Sequence, residues 1–246
     1  MDLRILSYNI HRAIGVDRRF RPERIAAILA HYDADIVLLQ EVDVGVPRSR
    51  ELNLARELAE LGNYPHYAVG LNVKLRKGMY GNATLSRYPI ARQCNIDLTL
   101  DNRKARGCLF TELELDDGDG PRLLPVFNLH LGLSFKERPR QVGCLVRTPE
   151  FAGIETDRPC LVGGDFNDWW TRIAPLFTEA LGFACATNHL VGYQNAILTY
   201  PSFSPSTGLD KLFCRGPITV VGSRRCRLRA SKVASDHLPI IVDLQI

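Results

Sequence analysis

Six short segments of this chain place polar side chains where a buried strand is expected to end: Asn9, Glu41, His130, Asp165 with Asn167, Asp210, and Asp236 with His237. Runs this short, bounded by turn residues, read as buried strands. A fold made from them collects its acids, amides and histidines at strand ends. The most informative run is Leu161-Val162-Gly163-Gly164-Asp165-Phe166-Asn167-Asp168, in which a glycine pair delivers an acid and an amide two residues apart. With Ser235-Asp236-His237 it offers hard-metal ligands, a water-orienting amide and an acid-supported histidine from distant parts of the sequence. That combination reads as a hydrolase site.

Helices alternate with these strands. Pro22 suits the first turn of one, in which Ile25, Ile28, Leu29 and Tyr32 share an apolar face, and Leu54, Leu58 and Leu61 mark a second. Others are expected around Lys136 to Arg147 and Thr171 to Leu181, the latter bent or delayed by Pro175. From Pro65 to Leu115 short alternating strands broken by Gly78, Gly81, Pro89 and Gly107 predict an antiparallel meander. Asp116 to Gly120 reads as a hairpin connection, too short for a calcium loop and without its bidentate Glu. With no Ser/Gly/Pro-rich linker, one domain spanning residues 1–246 is expected.

Composition narrows the class without naming it. At 246 residues, with 46% hydrophobic and 24% charged residues, the chain can bury a large core and is not of a disordered type. A net charge of +4 favours the approach of an anionic substrate but does not define one. The seven cysteines (Cys94, Cys108, Cys144, Cys160, Cys185, Cys214, Cys226) have no CxxC spacing, which argues against a zinc ribbon or dithiol site and for a reducing compartment. Met1 to Leu6 turns polar at Ser7, and no apolar stretch reaches the length of a signal peptide or spanning helix, so a cytoplasmic protein is expected.

Taken singly, each polar residue keeps a structural alternative. Glu41 could be a surface acid past a strand, Asn9 and Asn82 turn residues, Asp165 and Asn167 a Gly-Asp turn, and His130 and His237 satisfied strand-end histidines. Taken together, Ser7-Tyr8-Asn9-Ile10, Leu39-Gln40-Glu41, Gly81-Asn82-Ala83, Asn128-Leu129-His130, Gly164-Asp165-Phe166-Asn167, Leu209-Asp210-Lys211 and Ser235-Asp236-His237-Leu238-Pro239 resemble the endonuclease/exonuclease/phosphatase superfamily. That superfamily includes DNase I, the AP endonucleases and neutral sphingomyelinases. Any one motif is weak, whereas seven in the family's order over nearly the full chain are specific.

The resemblance implies an α/β (α+β), DNase I-like fold, a four-layer sandwich of two packed mixed β-sheets flanked by helices. It implies Mg²⁺ or Mn²⁺ held by Glu41 with Asn9 and Asp236, a water prepared by Asp165 and Asn167, and His237 supported by Asp210 against a phosphoryl oxygen. His130 is similar to the family's second histidine, which contacts the phosphate or protonates the leaving oxygen, and Asn82, Arg106 and Asn167 are expected to bind substrate. Two departures stand out. His11 lies where AP endonucleases usually carry a metal-touching Asp, and Lys211 follows Asp210 where many relatives carry Tyr or Arg.

For substrate, Arg18-Arg19-Phe20-Arg21, Arg103-Lys104-Ala105-Arg106 and Arg224 to Arg229 are basic clusters able to hold a nucleic-acid backbone or simply to be solvated. Trp169 and Trp170 could stack on a base or touch a lipid chain. The expected activity is therefore phosphodiester hydrolysis by a monomer, with nucleic acid as the preferred substrate. A phospholipid phosphodiesterase, a phosphomonoesterase and a non-catalytic phosphate-binding module are the alternatives.

Overall fold

The strand runs form two separate six-stranded sheets in a computed structural model that describes residues 1–116, 118, 120–187 and 196–246. In chain order the strands are β1 (Asp2–Asn9), β2 (Ile36–Val44), β3 (His66–Lys74), β4 (Met79–Ser86), β5 (Ile90–Asp97), β6 (Gly107–Asp116), β7 (Pro121–His130), β8 (Cys160–Asp165), β9 (Ala184–Cys185), β10 (Asp210–Arg215), β11 (Thr219–Arg225) and β12 (Ile240–Gln245). The first sheet runs β11-β12-β1-β2-β4-β3 and the second β5-β6-β7-β8-β10-β9. The expected meander is thus cut in two, because β3 and β4 pair in the first sheet and β5 and β6 in the second.

Each sheet contains a parallel pair, β1 with β2 and β7 with β8. Parallel neighbours need a crossover, and helices supply it. Helix α1 (Pro22–Tyr32) links β1 to β2, and α3 (Glu137–Val146) with α4 (Pro149–Ala152) links β7 to β8. Helix α2 (Leu54–Leu61) packs beside α1, where Ile25, Ile28, Leu29, Leu54 and Leu58 bury the outer face of the first sheet. Val142, Leu145 and Phe151 cover the second sheet in the same way. The layers are helix, sheet, sheet, helix, as expected of the four-layer sandwich.

The helix expected around Thr171 to Leu181 is short and delayed by Pro175: it is the five-residue π-helix Leu176–Ala180, which seats Phe177 against Phe166 and Phe213. Part of the Asp116 to Gly120 connection lies outside the described residues, but Asp116 pairs with Pro121 across the β6–β7 hairpin.

Alternation along the strands decides which polar ends meet. Leu3 and Ile5 face the inter-sheet core with Val126, Leu161 and Leu212, and Leu6 and Tyr8 face the helices. Continuing by twos puts Asn9, His130, Asp165 and Asp210 at the ends of inter-sheet faces, while Phe166 goes into the helix-side cluster. The two parallel pairs therefore present their carboxyl ends, where ligands of α/β sheets collect, along one shared seam.

Candidate active site

One cleft on that seam is lined by Asn9, Glu41, Lys104, Arg106, His130, Asp165, Asn167, Trp169, Tyr200, Asp236 and His237, among others. Asp165 is its hub. One carboxylate oxygen accepts from the Asn9 amide at 3.0 Å and lies 3.5 Å from His130 Nε2 and 3.8 Å from His237 Nε2. The other accepts from the Asn167 backbone N–H at 2.9 Å. This last bond closes an Asx-type turn, so the turn reading of Gly-Asp-Phe-Asn holds, and the same turn lines the cleft. Asn167 leaves the extended conformation (φ 49°) and donates to the Leu131 carbonyl, keeping one N–H and its oxygen for a ligand.

The histidines are driven in opposite directions. Burial alone would lower His237, but Asp210, whose Oδ2 lies 2.9 Å from Nδ1, and Asp165 outweigh it and raise the ring to about 10. Thr199 donates to the same Asp210 oxygen and fixes it. His130 is pushed well below the usual histidine range, first by burial and then by Arg106, His237 and Lys104. Arg106 can only donate, so its Nη1, 3.0 Å away, bonds to His130 Nε2 as acceptor. Burial raises Asp165 to about 6, with Asp210 adding to it and His237 opposing. Asp165, Asp210 and His237 have ligand atoms close enough to share an ion, but His237 Nδ1 spends its bond on Asp210.

Glu41 does not end its strand. Strict alternation would put it with Val37 and Leu39 on the helix-covered face. A bulge between Leu39 and Val42, with Glu41 at φ 57°, resets the alternation: Val42 takes the buried place and Glu41 turns into the cleft. Its Oε2 is buried with no hydrogen bond among the described residues, and Asn9 and Asp236 line the same cleft. An orphaned carboxylate oxygen beside an amide and a second acid suits a hard divalent cation.

Several sequence expectations change here. Asn82 lies in an adjacent hollow and spends both amide hydrogens on the carbonyls of Gly107 and Asn128, which leaves it no donor for a phosphate. Arg106 does not share the surface with the rest of its cluster: it is buried, whereas Arg103 and Lys104 are exposed, Arg103 paired with Glu137 and Lys104 lining the cleft. Lys211 is buried, bonded to the Gly208 carbonyl and 3.8 Å from Asp168, so it is not available to read an anion. His11 is tied by Nδ1 to the Ile14 carbonyl. Missed from the sequence were Arg12, 3.3 Å from Glu41, and Tyr200, whose ring meets Trp169 edge-on. Trp170, next in sequence to Trp169, is 68% exposed.

A two-sheet sandwich with an acid, two histidines and a cation-ready carboxylate on its seam defines a class, and the sequence carries that class throughout. Residues 6–237 match the Endonuclease/Exonuclease/phosphatase family, and the chain belongs to it. It is 28% identical to the uncharacterized protein YbhP of Escherichia coli (strain K12), over 99% of this chain and 96% of that one. Among solved structures it resembles the mannosyl-6-phosphatase Bt3783 of Bacteroides thetaiotaomicron VPI-5482 (TM-score 0.74, 20% identity, 99% of this chain and 100% of that one). It also resembles D. rerio TDP2 complexed with a single-strand DNA product (TM-score 0.74, 17% identity, 100% and 99%). At these identities the likeness is one of fold.

Proposed function

We propose that the protein is a divalent-metal-dependent phosphodiesterase acting on nucleic acid. The observation that carries hydrolysis is Asp165, a buried carboxyl raised to about 6 that is oriented by Asn9 and by the Asn167 backbone and flanked by both histidines. A base of that strength accepts a proton from water near neutral pH. Asn167 has an N–H and an oxygen left to orient that water. His237, protonated through its bond to Asp210, holds a phosphoryl oxygen as charge builds there. Glu41, Asn9 and Asp236 are the residues that would hold Mg²⁺ or Mn²⁺, which when bound supplies Lewis-acid stabilisation of the phosphoryl oxygens.

His130 has a different part from the one the resemblance implies. Held neutral at physiological pH, it has no proton to give the leaving oxygen, and it instead aims Arg106 at the phosphate. Asn82 is left out of the substrate set because its donors are spent.

Lys104, Arg106, Trp169 and Trp170 together support a polyanion with stacking bases. A second reading has its own observation: Leu133 at the cleft is 64% exposed, an apolar side chain that suits a lipid phosphodiester. Purified protein is expected to hydrolyse bis-p-nitrophenyl phosphate with Mg²⁺ or Mn²⁺ and to stop in EDTA. No turnover with any divalent ion would instead favour a phosphate-binding module.

Substrate class is read from a parallel panel of single-stranded and duplex DNA, RNA, a phospholipid and phosphorylated sugars. Single-stranded nucleic acid is expected to lead, with binding to an Asp165→Asn variant weakening steeply as salt rises because neutralised phosphates release counterions. A flat salt response, or preference for lipid or a phosphomonoester, would remove the nuclease reading and leave the hydrolase.

A further inference from the structure

The backbone beside Glu41 is held in a conformation that the proposed chemistry does not explain. His11, Arg12 and Ala13, none of them glycine, have φ of 45°, 62° and 55° in succession. They form a single left-handed turn, an arrangement disfavoured for L-residues and kept only where surrounding contacts enforce it. Those contacts are Ala13 N–H to the Ile10 carbonyl at 2.8 Å, Ile14 N–H to the His11 carbonyl at 3.0 Å and the His11 ring to the Ile14 carbonyl at 2.9 Å. The His11 backbone N–H also donates to Asn9 Oδ1 at 3.0 Å, so the turn is anchored on the site itself.

What the turn delivers is Arg12. Its Nε lies 3.3 Å from Glu41 Oε2, and both atoms are buried without a hydrogen bond to any described residue. A pair serving only to lock two side chains would align donor and acceptor. Here the contact is one of charge alone, against a carboxylate oxygen that no described residue hydrogen-bonds.

We propose that Arg12 is a built-in counter-cation: it neutralises Glu41 in the metal-free protein and competes with the divalent ion for that carboxylate, so that Arg12 sets how tightly the site binds Mg²⁺ or Mn²⁺. The inference rests on Glu41 being a metal ligand. Beside a divalent ion the guanidinium repels what Glu41 attracts. The side chains are only partly exposed, 23% and 15%, and the two facing atoms are buried, so solvent and salt screen the pair less than they would a surface pair. A site built this way fills only when the divalent ion is abundant.

The test is Mn²⁺ binding to the full chain without substrate, read from the electron paramagnetic resonance signal of free Mn²⁺ at low ionic strength. Arg12→Gly removes the cation and suits the φ of 62°, so it is expected to fold, with Arg12→Gln as a second charge-removing variant and circular dichroism as control. Both are expected to bind Mn²⁺ about tenfold more tightly than the parent protein. The gain is expected to vanish when Glu41→Gln is added. If Glu41→Gln alone weakens Mn²⁺ binding but neither Arg12 variant tightens it, or if the gain persists without Glu41, the counter-cation role is wrong and the metal assignment stands. If Glu41→Gln leaves Mn²⁺ binding unchanged, the ligand assignment has failed and the role of Arg12 falls with it.

Discussion

Asp165→Asn is expected to lower kcat on a small phosphodiester by roughly two or more orders of magnitude while far-UV circular dichroism stays unchanged. The substitution keeps the size of the side chain, and its single amide oxygen can still accept from one of the two donors, Asn9 or the Asn167 backbone, but it removes the proton acceptor from a position flanked by His130 and His237. The pH profile carries a second signature. Asp165 must be deprotonated to act, so the parent rate rises with pH through about 6. His237 must be protonated, so the rate falls again as pH passes about 10. The profile is a plateau between those limits, and the asparagine variant is expected to lose its acidic limb. A variant with near-parent rate, or one that keeps the limb near 6, would take the base role away from Asp165.

Gly164→Ala is expected to be the most damaging single-methyl change in the described chain, costing on the order of 4–5 kcal/mol in urea unfolding or preventing folding outright. Gly164 has φ +134°, which residues with a Cβ rarely adopt, and an added Cβ would lie 2.0 Å from the Leu129 carbonyl oxygen. That oxygen is backbone of the neighbouring parallel strand and cannot retreat without opening the β7–β8 ladder next to His130 and Asp165. Gly143 lies within α3 with open space around it, and Gly143→Ala is expected to be neutral or to stabilise by about 0.5–1 kcal/mol. Equal midpoints for the two variants would contradict the close-approach account of the glycine pair.

How far the site could be read from the sequence depended on the kind of signal. Apolar runs ending in polar groups exposed the residues from β1, β7 and β8, because alternation and burial are local properties of a strand, whereas Asp210 begins β10 and was placed by the family motif. Glu41 was found by the same rule, but its route into the cleft was not: the bulge depends on a non-glycine residue at positive φ, which no composition pattern announces. Arg106 reads as surface charge like its exposed neighbours Arg103 and Lys104, because a basic run gives no hint of which member the fold will bury. Asn82 looked like a phosphate donor because its identity was legible while the fate of its two hydrogens was not. Arg12 was passed over for a related reason, since a left-handed turn of His, Arg and Ala has no sequence signature. The layer order followed from the resemblance, and periodicity alone would have joined β3 to β6 into one meander.

The two sheets touch through side chains, and the residues proposed to react are divided between them. Near the site Asn128 donates to the carbonyls of Leu39 and Ala83 and accepts from Gln40, while Asn82 reaches back to Gly107 and Asn128. These amides act as rivets through the sandwich at the depth where apolar contacts give way to the cleft. Apolar packing resists separation of the layers but tolerates sliding, whereas directional bonds of this kind do not. A shear of one sheet over the other would pull Asn9 from Asp165 and detune the cleft while every strand kept its ladder, so the precision of this site is a property of the rivets more than of either sheet.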